Sequence, residues 1–205
     1  TTTNVTAWAD QSTNANNAAQ TTDENEPLLA ADGSLDFFHD ADDDNADYMD
    51  FTKFRIDADN DFLSFIVAEL RDVAGSAYLS DSGSECLEYA SQNTHKFRTG
   101  GGTTAIQINT IASVQTPNGE KHLFMVQRTN GSTGTIKVYK NGFEIDPSAT
   151  NASLFDLEHI GTRNENDLFF DGKIYDLGII EGTVSAKSRN RIVDHLLSKH
   201  GLERL

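Results

Sequence analysis

The stretch Lys121–Ile145, KHLFMVQRTNGSTGTIKVYKNGFEI, constrains the fold of this chain more than any other. It reads as two long strands joined by a polar, Gly-containing loop, with a third short strand after Asn141-Gly142. Ile136 and Val138 point one way while Lys137 and Tyr139 point the other, the period-2 pattern of a half-buried strand. Asn141-Gly142 supplies the two positive-φ positions of a type I′ turn, whose twist matches antiparallel strands. In the preceding strand Leu123, Phe124, Met125 and Val126 are apolar on both faces, which places that strand deep inside a sheet.

The rest of the chain adds strands to this hairpin. Thr1–Ala31 is Asn-, Thr- and Ala-rich and is expected to run over the surface, pinned by Val5, Trp8 and Pro27-Leu28-Leu29. Leu35–Phe38 is a short strand, followed by the acidic run His39–Phe51 and a strand over Phe51–Ile56. Phe62–Leu70 is long, β-branched and aromatic on both faces, hence a buried central strand. Tyr78-Leu79, Leu87–Tyr89, Lys96–Arg98 and Ala105–Ile108 are spaced as short strands of a sandwich. Gly100–Gly102 is expected to form a flexible turn and lacks the context of a phosphate loop. Asp146–Asp156, with Pro147, reads as a loop, Leu157–Gly161 as a strand, and Leu168–Ile180 as a long strand bent at Asp171-Gly172. Ser185 is placed to cap a helix over residues 185–200 with Gly201 just beyond it. Ile192, Val193, Leu196 and Leu197 form its apolar stripe; Lys187, Arg189, Arg191 and Lys199 lie elsewhere on it, against the acidic body or in solvent.

These segments make a single all-β domain over residues 1–205, a two-sheet antiparallel sandwich with a C-terminal α-helix. A chain of 205 residues with 37% apolar residues can bury one sizeable core. Sixteen Lys and Arg stand against 32 Asp and Glu, a formal net charge of −16. Such a surface repels phosphate backbones and anionic lipid, which argues against nucleic acid and membrane as partners. The lone Cys86 excludes an internal disulfide framework, and nothing beside it marks a nucleophile.

The order of the pieces resembles the laminin-G-like members of the concanavalin A-like lectin/glucanase superfamily. The marks are WADQSTNANNA (Trp8–Ala18), DYMDF (Asp47–Phe51), KVYKNGFE (Lys137–Glu144), HIGTR (His159–Arg163), FFDGKIYDLGII (Phe169–Ile180) and a terminal helix ending KHGL. The resemblance implies a jelly roll with ligands at its concave face or loop rim. It also implies a further strand before Trp8, here expected to be missing, supplied by a neighbouring copy, or left upstream in a longer protein. Similar modules occur in bacterial surface and secreted proteins and in bacteriophage virions.

Glycoside hydrolysis needs two carboxylates flanking the scissile bond. The nearest match to the glucanase branch's E-x-D-x-x-E is Glu144-Ile145-Asp146, but Ala149 stands in place of the second Glu and Pro147 breaks the strand. Glu24-Asn25-Glu26 ends at Pro27 in the same way. A non-enzymatic role is therefore expected. Related lectin-like domains often hold a rim calcium, and the acidic run could supply the oxygens a hard cation wants, with Asp42, Asp43, Asp44 and Asp47 as its ligands. The alternative for that run is a solvated acidic loop. The six histidines show no zinc-type spacing, and His122 and His159 read as structural strand residues. Asn4, Asn130 and Asn151 match the N-glycosylation pattern by chance composition; Tyr78 and Tyr89 are candidates for glycan stacking. The leading expectation is a virion surface protein, a capsid decoration or head-fibre-like lectin-fold module. Its expected partners are other virion proteins, its own copies or glycans. The alternative is a carbohydrate-binding module of a secreted bacterial protein, extracellular or at the cell surface, and a glycosidase comes third.

Overall fold

Two antiparallel sheets face one another across the main core. The computed structural model describes residues 3–205 except 41–44, 73–74, 84, 93, 100–103, 110–115, 130 and 166, and gives the backbone alone for 40, 45, 104–109 and 146–148. The first sheet runs β1 (Thr3–Asn4), β4 (Leu28–Leu29), β5 (Leu35–Phe37), β18 (Asp171–Glu181), β9 (Phe62–Asp72), β14 (His122–Thr129), β15 (Thr135–Lys140), β16 (Phe143–Thr150). The second runs β13 (Thr104–Asn109), β12 (Thr94–Thr99), β11 (Cys86–Ser91), β10 (Ser76–Ser80), β17 (Phe155–Ile160), β8 (Met49–Ile56), β3 (Ala18–Ala19), β2 (Ala7–Trp8). A separate ribbon pairs β6 (His39–Asp40) with β7 (Asn45–Ala46). The expected all-β jelly-roll sandwich closed by a C-terminal helix is what forms.

The apolar-on-both-faces strands sit where that pattern requires. Phe62, Ile66, Ala68 and Leu70 of β9, with Phe124 and Val126 of β14, face the second sheet. There Phe62 meets Phe97 and Phe155 at ring separations of 5.6 and 6.0 Å. Leu63 and Val67, with Leu123 and Met125, face the opposite way, onto Val193, Leu196 and Leu197 of α1 (Ala186–His200). The helix makes the first sheet a layer buried on both sides. Ser185 Oγ accepts the Ser188 amide at 3.1 Å, and Gly201 ends the helix at φ 65°. The Asn141-Gly142 turn has both residues at positive φ. Among the described residues no helix is long and apolar enough to cross a membrane.

Several expectations are corrected. Asp146–Thr150 is strand, not loop: β16 runs through Pro147, and the ladder with β15 shifts register between Ile136 and Val138. β16 ends the sheet, so a proline in its bulge removes no obligatory ladder bond. The long strand begins at Asp171 rather than Leu168. Its bend at Gly172 is real: a Cβ there would lie 2.3 Å from Glu69 O. The N-terminal segment is more than a surface run, because β1 pairs with β4 at the border of one sheet and β2 with β3 at the border of the other. Asp10 organises the loop between β2 and β3 by accepting the Ser12 and Asn16 amides at 2.8 and 2.9 Å. Trp8 packs against the core. The Gly100–Gly102 turn lies outside the described residues.

Candidate functional site

The residues singled out beforehand distribute unevenly. Asp42, Asp43 and Asp44 lie outside the described residues. Asp47 is described and points inward: its Oδ2 accepts the Phe38 amide at 2.8 Å, and burial lifts its pKa to about 6 against that hydrogen bond. Tyr78 and Tyr89 are core residues and offer no stacking surface, being 1% and 0% exposed. Glu144 is bound to Lys137 at 2.7 Å. Glu24 lies in a 3-10 turn with the buried Glu26 just beyond it, so these two share no strand face. Burial pushes the Cys86 thiol up, and it donates to Glu88 Oε2 at 3.2 Å, the opposite of an activated thiolate. Asn151 is buried, with its side-chain oxygen accepting the Ser153 amide.

A cleft that the sequence does not announce lies on the helix side of the first sheet. Ile174 and Leu177 of β18 both face the main core, and the ladder with β9 slips between Ile174 and Asp176. The two intervening residues, Tyr175 and Asp176, therefore both face the helix, as a bulge allows. Asp176 accepts from Lys199 Nζ at 2.8 Å and lies 2.5 Å from His200 Nε2, joining the strand to the helix C-terminus. The Tyr175 hydroxyl reaches Asp32 Oδ2 at 3.1 Å and Glu69 Oε2 at 3.2 Å. One phenolic proton cannot serve both carboxylates at once. Burial and these two carboxylates raise the Tyr175 pKa, so the ring keeps its proton.

Asp32 stands in the turn from β4 to β5, where Gly33 takes φ 82°. Hydrogen bonding from the Ser34 hydroxyl, at 2.6 Å, holds its carboxyl well below the usual range. Lys173 Nζ lies 3.4 Å away. Lys121 places its ammonium 3.8 Å from the centre of the Tyr175 ring, and among the described residues no carboxylate pairs with it. Asp32, Gly33, Lys121, Tyr175, Lys199 and His200 enclose about 330 Å³. An aromatic face, an ionised acceptor and two ammonium donors thus converge in a space the size of a small-ligand site.

A wider depression of about 560 Å³ at one end of the sandwich is lined by Asp59, Asn60, Asp61, Gly131, Glu181, Gly182 and Thr183. It carries no aromatic ring, and its polar groups serve the loops: Asp61 accepts from Gly131 N and Thr183 Oγ1, and Asn60 donates to Glu181. Its shape belongs to loop architecture.

The outer face of the second sheet is polar and largely self-paired. Glu88 is buried beneath Lys96 and Arg98, at 3.1 and 3.0 Å, and Arg55 grips Asp156 through two 2.8 Å bonds. His159 is buried on this face beside Asp50, with Glu165 near. Sequence reasoning treated His159 as structural and passed over Glu165, because the loop that brings them together leaves no local pattern.

No protein-family model matches the sequence, and comparison with curated proteins returns no match. Solved structures do share the fold. The binding domain of Paraclostridial Mosquitocidal Protein 1 superposes with TM-score 0.60 at 14% identity, over 92% of this chain and 49% of that one. A botulinum neurotoxin type C structure, described as interacting with two ganglioside molecules, gives 0.55 at 12% identity, over 94% and 51%. Domain 4 of AbnA, a GH43 extracellular arabinanase from Geobacillus stearothermophilus, in complex with arabinotriose, gives 0.52 at 15% identity, over 82% and 80%. The chain spans about half the length of the toxin structures and most of the arabinanase domain.

Proposed function

We propose that this domain is a non-catalytic glycan-recognition module and that it binds sugar in the Tyr175 cleft. The observation that carries the reading is the convergence of Tyr175, Asp32, Lys121, Lys199 and His200 around one cavity. Sugar hydroxyls both donate and accept. Asp32 accepts from them, and the ammonium groups of Lys121 and Lys199 donate to them. The apolar face of a pyranose packs on an aromatic ring, where Lys121 now rests. The fold supports the reading at the level of architecture, since the neighbours named above are binding domains, one of them seen with arabinotriose. Fold by itself does not assign a ligand. As part of a longer extracellular protein, the module would hold that protein against a glycan-bearing surface.

The test is binding of the immobilised chain to a glycan array, followed by calorimetry on the ligands retained. The expected result is saturable binding that Asp32→Ala and Lys121→Ala each weaken at least tenfold, Lys121→Ala with the unfolding midpoint unchanged. Retention of binding in both variants, or no glycan retained, refutes the assignment.

A virion-surface role, as a capsid decoration or head-fibre-like module, is the second reading. It rests on the net charge of −16 and the Asn/Thr-rich N-terminal segment. The fold neighbours support the binding module ahead of it. A stable self-assembly in native mass measurements, with affinity for a viral particle, would reverse that order.

A further inference from the structure

The outer face of the second sheet carries a histidine whose surroundings call for a cation. Leu157 and Ile160 of β17 both face the main core, and the pairing with β8 slips between Leu157 and His159. Glu158 and His159 are thereby turned to the same outer face. The His159 side chain is only 5% exposed, and its Nδ1 lies 2.6 Å from Oδ1 of Asp50, its cross-strand partner. In the neutral ring, that contact puts the proton on Nδ1, donating to the carboxylate, and the Nε2 lone pair is the group a cation would take. Nε2 is buried and has no hydrogen-bond partner among the described residues. It instead faces two carboxylate oxygens, Glu165 Oε1 at 3.8 Å and Glu158 Oε1 at 3.9 Å.

Two carboxylates facing Nε2, with a third behind the ring, call for positive charge among them; Lys53 supplies part of it, 3.6 Å from Glu158 Oε1, which also accepts the Ser82 amide at 2.7 Å. The loop that carries Glu165 is closed by a bridge between its two ends. Arg163 grips Asp167 through both side-chain and backbone contacts, and Asn164 and Glu165 both take left-handed backbone conformations, at φ 52° and 62°. One ligand atom from each of Asp50, His159 and Glu165 lies within 4.8 Å of the others.

We infer that His159 Nε2, Glu165 and Glu158 bind a divalent transition-metal ion, with Asp50 orienting the imidazole through Nδ1. Metal bonds of about 2.1 Å in tetrahedral geometry separate the donors by about 3.4 Å, so each carboxylate oxygen must approach Nε2 by about half an ångström and the two glutamates must swing toward one another. The exposed Glu165 side chain can supply that movement. One imidazole nitrogen with two carboxylates suits Zn²⁺ and its first-row neighbours, whereas Ca²⁺ takes an all-oxygen shell. A carboxylate behind a ligating histidine fixes its tautomer and raises its basicity. Three protein donors leave a fourth position open to solvent. This site lies on the face of the sandwich opposite the Tyr175 cleft and stands whether or not that cleft binds sugar.

The experiment is titration of the chelator-stripped full chain with Zn²⁺, by calorimetry and by competition with a chromophoric chelator. One Zn²⁺ per chain is expected, weakened at least tenfold by His159→Gln and by Glu165→Gln, and tenfold to a hundredfold by Asp50→Asn. Ca²⁺ at equal concentration should not displace it. Glu165 is exposed, so its variant will fold even if a change at His159 disturbs the strand. Ring-nitrogen NMR of His159 is expected to show Nε2 shifted by the metal and Nδ1 protonated. Failure to bind, binding unchanged in Glu165→Gln, or an imidazolium protonated on both nitrogens with Zn²⁺ present overturns the inference.

Discussion

Acid should unfold this domain through two histidines that have no room for charge. His122 is wholly buried; its Nδ1 donates to Glu120 O at 2.9 Å and its Nε2 accepts from the Tyr89 hydroxyl at 3.0 Å. Protonation would set a second N–H against the Tyr89 proton, and burial lowers its pKa from 6.5 to about 4. His95 stacks on Phe124 at 4.0 Å with neither ring nitrogen bonded among the described residues, and burial lowers its pKa to about 3. Both folded-state values lie below the unfolded one, so between pH 6.5 and those values the unfolded chain binds the extra protons. Stability is full above pH 6.5 and falls with pH through that window. From pH 7 to pH 5 each histidine removes about 2 kcal/mol, about 4 together. Asp47 works the other way. Its folded pKa of about 6 is above its unfolded value, so it regains stability as pH falls, by less than about 1 kcal/mol after allowance for partial solvation. The net loss is about 3 kcal/mol, a large share of a typical folding free energy of roughly 5–15 kcal/mol. Urea unfolding at the two pH values measures it, with constant m-values confirming a common denatured state. His95→Phe removes one titrating group and two unbonded buried nitrogens. It should raise stability at pH 7 and recover about 2 kcal/mol of the acid loss. A wild type equally stable at both pH values, or a His95→Phe variant with the same pH slope, refutes the reasoning.

Three further outcomes are expected. Gly172→Ala would drive a Cβ into Glu69 O at 2.3 Å and Leu70 Cα at 2.8 Å, both backbone atoms, and should cost at least about 3 kcal/mol in urea unfolding. Arg128 lies fully buried and donates to the carbonyls of Asn60, Ser153 and Asp57 at 2.7, 2.5 and 2.9 Å. Arg128→Met strands those acceptors and should cost about 3–5 kcal/mol, with hydrogen exchange faster first in the loops around residues 57–61 and 151–154. Were Asp42, Asp43 and Asp44 to hold calcium with the remaining oxygen of the inward-pointing Asp47, the folded state would gain about 2.7 kcal/mol at a hundredfold excess over Kd and the unfolding midpoint would rise. A midpoint indifferent to millimolar calcium refutes that ligand set.

What the sequence determined by itself was whatever rests on neighbours in the chain. Asn141-Gly142 needs only its own two positive φ angles to make a hairpin turn. Ser185 and Gly201 cap a helix through bonds spanning three to five residues. The two-faced apolar runs at Phe62–Leu70 and Leu123–Val126 declared central strands because alternation is broken only where both faces are covered. Tertiary structure alone decided where strands slip. Tyr175 with Asp176, and Glu158 with His159, share faces that strict alternation forbids, because irregularities displace the register by one residue against β9 and by two against β8. Pro147 sits within a strand because β16 lies at a sheet border, a matter of order among strands distant in sequence. Tyr78 and Tyr89 are hidden because the opposite sheet covers them, and Asp32 meets Tyr175 across 143 residues of chain. Register is set by the summed packing of two sheets and a helix, a non-local quantity that no short window of residues contains. Both the cleft and the proposed metal cluster are made at such slips, so the fold could be read from the residues and the sites could not.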